Sequence, residues 1–445
     1  MSKREHAGAR RSGNETGEGV LHDYALAAVP IDNRRGVYQM TAVWMGWCIS
    51  ISAFLVGGAI GAGTTFGEGM AAIVLGNVAL ALVGGLVGYV GYRTGLTTYL
   101  VSHILFGVRG SIVPSVILGV LAMGFIGVLM DAFGGAITAL VPGLNWTAVV
   151  LLFALLVTVT AIFGFRGLAA LSSVAVPAMF LLAALGLIRI ATSEGGFSTV
   201  LAAAPEEPIG FRAAVAAVIA VWITGAALAC DIGRYARNSK LIVIGAVAGY
   251  VLGAGFFETA ATLTAMEVGD PNFVVVMSGL GLLLPAAIVL ALALWTTTDN
   301  NLYSASLAFT NASDTVGRTV PKWVWVLVSI AIATGTAFLG FAQEFLSWLQ
   351  IIATVTPPFA GILIAHFFAM GGIRQPVDRQ LEALPAVRVE ALAAWLLASL
   401  FNYYTDVFIA PLTGVIVGGV LYVAFSFIAR KLGSDDRAAS GTEVV

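Results

Sequence analysis

Six polar residues interrupt an apolar stretch in the second half of the chain. Residues 282–294 carry no charged or polar side chain, and after Trp295 come Thr296, Thr297, Thr298, Asp299, Asn300 and Asn301. Lipid cannot form hydrogen bonds with such side chains, so they must face protein, water or an ion. Hard cations such as sodium prefer oxygen ligands, which stacked threonine hydroxyls and free carbonyls supply. The run therefore indicates either an ion site or a helix end that reaches water, and the ion site is favoured most for Thr296 and Thr297.

Two further carboxylates, Asp131 and Glu258, lie among apolar residues. A charge in the middle of a bilayer is costly, so each is expected to be neutral, paired or exposed to a cavity. Three roles remain open for them: a structural hydrogen bond, a proton site or a substrate contact. The four histidines and two cysteines show no spacing typical of metal ligands or of a nucleophile–base pair, which argues against an intramembrane enzyme.

The composition indicates an integral membrane protein. Of the 445 residues, 59% are hydrophobic and 10% are charged, whereas soluble domains carry about 25% charged residues. A helix needs about 20 apolar residues to cross the hydrocarbon core. We therefore predict an all-α membrane protein with about twelve transmembrane helices, at residues 37–66, 71–92, 113–141, 148–165, 168–190, 213–230, 241–266, 274–309, 323–339, 345–370, 389–401 and 408–429.

The distribution of basic residues predicts the orientation of these spans. With the N-terminus in the cytoplasm, 20 of the 22 lysines and arginines fall on the cytoplasmic side, and only Arg189 and Arg212 fall outside. This positive-inside bias predicts a multi-pass protein of the cell inner (plasma) membrane with both termini cytoplasmic. Residues 1–35 and 431–445 are predicted to be disordered cytoplasmic tails on a transmembrane transporter domain at 36–430. A net charge of −2 without an exposed basic cluster argues against a nucleic-acid partner.

Spans one and six share an unusual content of small and polar residues. The first contains Ser50 and Ser52 followed by glycines at 57, 58, 61 and 63, and the sixth contains Thr224 and Gly225. Small residues most often serve close helix packing. Interruptions at corresponding places in two halves of a chain also indicate broken helices around a site at the membrane midplane. Both interpretations remain open from these residues alone.

Five motifs, in this order along the chain, resemble the cytosine permeases of the nucleobase–cation symport family (purine–cytosine permease-like). They are GYVGYRTGLTTY at 88–99, FGVRGS at 106–111, DIGRYARN at 231–238, WTTTDN at 295–300 and TPP at 356–358. The resemblance extends over nearly the whole chain, and its strongest part is the polar run that begins at Thr296.

The resemblance implies a LeuT-like fold, a five-plus-five inverted repeat of ten helices followed by two more. Helices one and six would be broken at the midplane, where the substrate binds. The coupling ion would be sodium (Na+), bound between spans one and eight. Carried over to this chain, its ligands would be the carbonyls of Ser50, Ala53 and Ala293 and the hydroxyls of Thr296 and Thr297.

The same resemblance implies a substrate that stacks between two aromatic rings, here Phe125 and Trp222, with Thr224 as a hydrogen-bond partner. Stacking suits a flat heterocycle because every base has a π-face, and it contributes about 1–3 kcal/mol per base. Ala53 and Asp131 are further candidates for the border of this site. Asp131 is included because it lies about a turn and a half beyond Phe125.

The chain departs from the family pattern at several substrate positions. Ala122 stands where the family has glutamine, Val221 where it has serine, Ala293 where it has asparagine and Phe125 where it has tryptophan. A substrate polar group left without a partner costs about 1–3 kcal/mol. The expected substrate is therefore cytosine or a related flat heterocycle.

Together these observations predict a secondary active symporter that imports a nucleobase with sodium. The alternative is a proton-coupled transporter of a nucleobase or related heterocycle that uses Asp131 or Glu258. A channel is a third class, which a saturable uptake well below channel flux would exclude. The expected partners are the small-molecule substrate and the lipid bilayer, with no nucleic acid and no obligate protein partner.

Overall fold

The computed structural model describes residues 24–141, 143–163, 165–270, 273–340, 345–382, 384–405 and 407–439. Regular structure in these residues is helical, and the only β-type pairing among them is an isolated bridge between Arg35 and Ala236. The prediction of an all-α fold is therefore confirmed.

Twelve helical units coincide with the twelve predicted spans, and we number them α1 to α12. Their bounds are α1a Val37–Cys48, α1b Ile51–Gly63, α2 Phe66–Thr94, α3 Ile112–Leu140, α4 Trp146–Ile162, α5 Phe165–Ala191, α6a Phe211–Ala227, α6b Cys230–Gly233, α7 Lys240–Val268, α8 Leu283–Thr315, α9 Lys322–Phe338, α10 Phe345–Ile364, α11 Val389–Tyr404 and α12 Ala410–Ala439. Among the described residues, seven helices are long and apolar enough to cross a membrane alone, and the bent pair α1a–α1b is an eighth candidate. The helices α4, α6a and α9 are apolar but shorter, with 17 residues each.

The start of the eighth span differs from the prediction. The predicted span 274–309 is divided into a short helix, Phe273–Gly279, and α8. Gly281 turns the chain between them with φ = +69°, a conformation that glycine adopts without strain. Because α8 then continues to Thr315, the polar run at 296–301 lies within a helix and not at a helix end.

The first helix is interrupted at Ser50. Ile49 and Ser50 are extended, and the axes of the two flanking helices differ by 51°. The Ser50 hydroxyl accepts a hydrogen bond from the N–H of Ser52 (3.1 Å) and so caps α1b, a position at which serine is favoured. The last carbonyls of a helix lack partners within it, so this break offers backbone oxygens to a ligand.

The sixth helix is interrupted after Ala227. The carbonyl of Leu228 accepts a hydrogen bond from the Thr98 hydroxyl (3.2 Å), and the Asp231 carboxylate accepts one from the Thr98 N–H (2.7 Å). The short helix Thr98–Phe106 therefore holds the chain at this break. Both interruptions expected from the sequence are present.

The contacts between helices are those expected of a repeat with two equivalent halves, α1–α5 and α6–α10. Both parts of α1 pack along α7, both parts of α6 pack along α2, and α3 packs against α8. Exchanging the two halves converts the first pair into the second and leaves the third unchanged, as an inverted five-plus-five repeat requires. The last two helices, α11 and α12, pack on α10.

Glycines on α1b allow the close approach of α7. A Cβ atom on Gly57 would lie 2.4 Å from the carbonyl oxygen of Glu258, and one on Gly61 would lie 2.5 Å from that of Thr262. The Thr262 hydroxyl donates to the Gly57 carbonyl (2.9 Å) across the same contact. These glycines therefore serve helix packing. The break in the same helix is a separate feature, which lies at Ser50.

Residues 24–35, which were predicted to belong to a disordered tail, pack against the helical domain. The buried Val29 donates its N–H to the Gly95 carbonyl (2.9 Å), and Arg35 donates its N–H to the Tyr235 carbonyl (2.6 Å). The buried Val29 side chain and these two backbone hydrogen bonds anchor the segment to the domain. The remaining tail predictions, for 1–23 and 440–445, lie outside the described residues, and α12 extends to Ala439.

Candidate functional site

A central cavity of about 40 Å³ lies between α1, α3, α6a, α8 and α10, beside both helix breaks. This volume has room for a few water molecules. The residues that line it are Trp47, Ser52, Leu121, Ala122, Phe125, Ala220, Val221, Trp222, Thr224, Gly225, Leu228, Thr297, Asn300, Asn301, Ser304 and Ile352.

Three aromatic side chains border this cavity. Phe125 comes from α3 and Trp222 from α6a, and both are buried. Trp47 comes from the last turn of α1a, and its indole packs on Gly225, where a Cβ atom would lie 2.4 Å from the indole Nε1. Aromatic faces of this kind stack on flat heterocycles.

Unsatisfied polar atoms belong to the same lining. In the described structure, Thr224 Oγ1, Asn300 Oδ1 and Ser304 Oγ are buried without a hydrogen-bond partner. A buried polar group in this state costs about 1–3 kcal/mol, so water or a ligand normally satisfies it. None of the described residues that line the cavity carries a charge. The cavity therefore suits a neutral ligand with a hydrogen-bonding edge, because a charged ligand would remain uncompensated.

Thr296 and Thr297 share one backbone acceptor. Their hydroxyls donate to the carbonyl of Ala293 at 3.0 and 2.9 Å. A hydroxyl that donates its proton to its own helix keeps its lone pairs available for a cation. Thr297 also borders the central cavity, so a cation held by this hydroxyl would lie next to a ligand in the cavity.

The other predicted ion ligands are backbone carbonyls of α1 and α8, two helices that contact each other. Helix α8, which carries Ala293, packs against both α1a and α1b. Ser50 and Ala53 are buried on the α1 side, and the N–H of Ala53 bonds to the carbonyl of Ser50 (3.1 Å). A sodium site formed by these oxygens therefore stays a prediction.

Asp131 lies elsewhere than predicted. It is partly exposed, lies beside Trp146 at the start of α4, and does not line the central cavity. Each residue turns a helix by about 100°, so the six residues from Phe125 to Asp131 leave the two side chains roughly 120° apart around α3. The distance along the chain was compatible with a shared site, but the rotation directs Asp131 away from the face of α3 that carries Phe125.

The other two intramembrane carboxylates are buried and do not line the central cavity, although Glu258 lies beside Trp222, which does. Glu258 of α7 accepts a hydrogen bond from the side-chain amide of Asn77 on α2. Asp299 lies on the side of α8 that faces α4 and α9, beside Thr160 and Lys322. In the described structure, Glu258 Oε1 and both carboxylate oxygens of Asp299 are buried without a hydrogen-bond partner, so the roles predicted for these side chains stay predictions.

The structure brings five predicted substrate residues to one cavity: Ala122, Phe125, Val221, Trp222 and Thr224. The predicted ion ligands other than Thr297 do not line it.

Several lining residues were not predicted as substrate contacts, including Trp47, Ser52 and Ser304, and Asn300 was recognised only as part of the polar run. Ser304 lies seven residues after Thr297, which is two helical turns on the same face of α8, and this spacing is the signal that could have identified it.

Residues 29–405 match the model of a protein family described as "Permease for cytosine/purines, uracil, thiamine, allantoin". The chain belongs to this family. Accordingly, it is a multi-pass membrane transporter of the permease class. A curated relative, the cytosine permease of Escherichia coli (strain K12), is 32% identical over 346 residues, which cover 78% of this chain and 81% of the relative. The cytosine permeases of the Escherichia coli strains O6:H1 and O157:H7 match equally well.

Solved structures of this fold include Mhp1, a nucleobase-cation-symport-1 family transporter. Its closed conformation with bromovinylhydantoin bound has a TM-score of 0.80 at 19% identity and covers 93% of this chain and 97% of that chain. Its inward-facing conformation has a TM-score of 0.73 at 20% identity, with coverage of 93% and 96%. A Na+-coupled sialic acid symporter in a substrate-bound outward-open state has a TM-score of 0.67 at 14% identity, with coverage of 90% of both chains. These similarities confirm the LeuT-like fold.

Proposed function

We propose that this permease is a secondary active symporter that imports a neutral nucleobase, cytosine or a related flat heterocycle, together with sodium. One observation carries the proposal: aromatic rings, unsatisfied polar atoms and Thr297 border a single uncharged cavity beside two broken helices. The proposal includes an inner-membrane location with both termini cytoplasmic, which the distribution of basic residues supports. The substrate class is supported by the family description and by the names of the Escherichia coli relatives.

In this proposal the base lies between the rings of Phe125 and Trp222. Thr224, Asn300 and Ser304 then form hydrogen bonds with the polar edge of the base. The Asn300 carbonyl accepts hydrogen bonds from N–H groups of the base, and the two hydroxyls donate or accept according to the ring. These three groups take the place of the polar side chains that the family has at the positions of Ala122 and Val221. They also allow a heterocycle other than cytosine to fit.

Sodium in this proposal binds where α8 meets the broken α1. Its ligands are the hydroxyls of Thr296 and Thr297 and the carbonyls of Ser50, Ala53 and Ala293. An ion here joins α8 to both halves of α1 and fixes Thr297, which borders the base. Each ligand then raises the affinity for the other, and the two are carried together when the halves of the repeat move. One structural neighbour is a Na+-coupled sialic acid symporter, which is consistent with this choice of ion.

The test is uptake of labelled cytosine into proteoliposomes that contain the purified protein. We expect an inward sodium gradient to accelerate uptake relative to a potassium gradient, and a panel of unlabelled bases to compete in an order that identifies the solute. Trp222→Ala should abolish the sodium-driven component. Uptake driven equally well by an inward proton gradient without sodium would contradict the proposal and favour coupling through Asp131 or Glu258.

A further inference from the structure

A second cavity, of about 470 Å³, lies among the ends of α10, α11 and α12, away from the central cavity. The charged and hydroxyl-bearing residues that line it are Arg388, Glu390, Tyr422, Ser426 and Arg430. Both arginines belong to the group of basic residues that the positive-inside bias assigns to the cytoplasmic side. The cavity therefore opens near the cytoplasmic surface of the bilayer.

The charges in this cavity do not balance. Two guanidinium groups, Arg388 and Arg430, line it together with one carboxylate, Glu390. Arg388 is also the N-cap residue of α11, so the positive end of that helix dipole lies at the same place. In the described structure, the Nε of Arg388 is buried without a hydrogen-bond partner. A buried guanidinium N–H without a partner needs a hydrogen-bond acceptor, which an anion supplies.

Two hydroxyl groups lie beside the guanidinium groups in the same cavity. The Tyr422 hydroxyl is paired with His366 Nδ1 (2.7 Å), which holds the phenol in place at the cavity wall. Ser426 lies one helical turn further along α12, on the same face as Tyr422. Guanidinium groups flanked by hydroxyls match the geometry of a phosphate group, which arginine binds through two parallel N–H bonds.

We propose that this cavity binds the phosphate group of an anionic ligand through Arg388 and Arg430. Two sources can supply that group at the cytoplasmic surface, a phospholipid headgroup of the inner leaflet and free phosphate. The exposed apolar side chains of Phe427 and Ile428 on α12 adjoin Arg430 in sequence and offer a surface for acyl chains. Basic pockets between transmembrane helices on this side bind anionic headgroups in the same way.

The experiment is native mass spectrometry of the full chain in detergent, titrated separately with phosphatidylglycerol, phosphatidylcholine and inorganic phosphate. We expect phosphatidylglycerol to bind at least about tenfold more tightly than phosphatidylcholine, as an anionic headgroup at two arginines requires. The double variant Arg388→Gln/Arg430→Gln should lose this preference. Competition by inorganic phosphate would support the site and identify free phosphate as a ligand.

The matched control is Arg374→Gln/Arg379→Gln, which removes the same charge from exposed arginines of the segment between α10 and α11. It should keep the preference for phosphatidylglycerol. Equal losses in the two double variants would overturn the proposal, because surface charge in general would then explain binding. Wild-type binding in Arg388→Gln/Arg430→Gln would overturn it as well. If that variant does not fold, Arg430→Gln alone, at an exposed position, decides between the same outcomes.

Discussion

Thr297 of α8 and Ser52 of α1b line the same central cavity, at the contact where α8 meets the broken first helix. The Ser52 N–H is held by the Ser50 hydroxyl, and the Thr297 hydroxyl is held by the Ala293 carbonyl. An ion bound at this contact would touch a residue that also borders the base. Coupling between ion and base then needs no long-range pathway, and such coupling typically amounts to about 1–3 kcal/mol.

Replacing Thr297 by alanine is expected to weaken sodium binding. The loss of one ligand to a charged group costs about 1.5–3 kcal/mol, which corresponds to roughly 10- to 150-fold in affinity. The measurement is a sodium titration of base binding to the purified protein. Thr298→Ala is the matched control, since it removes an equally buried hydroxyl that donates to the Leu294 carbonyl and does not line the cavity. Equal shifts in the two variants would argue against an ion site at Thr297.

Replacing Phe125 by leucine is expected to weaken base binding without affecting the ion. Leucine keeps much of the apolar volume but removes the π-face, and loss of stacking costs about 1–3 kcal/mol. Base affinity at saturating sodium should therefore fall by roughly 5- to 150-fold. Phe133→Leu, on the same helix, is the control, because Phe133 stacks on Phe153 with ring centroids 3.8 Å apart and does not line the cavity. Unchanged base affinity in Phe125→Leu would exclude the stacking role.

The polar run at 296–301 was informative because lipid cannot satisfy its hydrogen bonds. The sequence could not show which of the six side chains face the cavity, since a continuous run has no periodicity. The packing of α8 against α3 and α1 decides this: Thr297, Asn300 and Asn301 line the cavity, and Asp299 is directed to α4 and α9. Tertiary packing, and not the local pattern, therefore determines which residues contact a substrate.

Other features depended on chain segments that meet only in the fold. Trp47 borders the cavity because Gly225 of α6a leaves space for its indole, a contact over a long distance in sequence. Residues 24–35 are ordered because their backbone pairs with residues near Gly95 and Tyr235. By contrast, the break at Ser50 was implied by the family resemblance, and the capping serine gives its local physical reason.

A side chain at Gly57 is expected to destabilise the protein. A Cβ atom there would lie 2.4 Å from the Glu258 carbonyl oxygen and would force α1b away from α7. Such overpacking typically costs about 1–3 kcal/mol. Gly57→Ala should therefore lower the thermal unfolding midpoint in detergent. Gly67→Ala is the control, because nothing lies within 4 Å of a Cβ atom at that position of α2. An unchanged midpoint in Gly57→Ala would show that the two helices do not need this close contact.

Neutral replacements of the intramembrane carboxylates are expected to leave sodium coupling intact. Asp131 lies beside Trp146 away from the cavity, so Asp131→Asn should change neither base affinity nor its dependence on pH. Glu258→Gln should retain sodium-driven uptake, because glutamine still offers an acceptor to the Asn77 amide. Uptake rates across a range of pH values test both variants. A pH dependence that disappears in either variant would indicate that the residue carries a coupled proton.

The most direct test of sodium coupling is the reciprocal effect of sodium and base on each other's binding. Equilibrium affinity of the purified protein for its preferred base is measured at saturating sodium and in sodium-free choline buffer, and sodium affinity is measured with and without the base. We predict that sodium raises base affinity by roughly 5- to 150-fold and that the base raises sodium affinity by the same factor. Equal base affinity in the two buffers would contradict the proposed sodium site beside the central cavity.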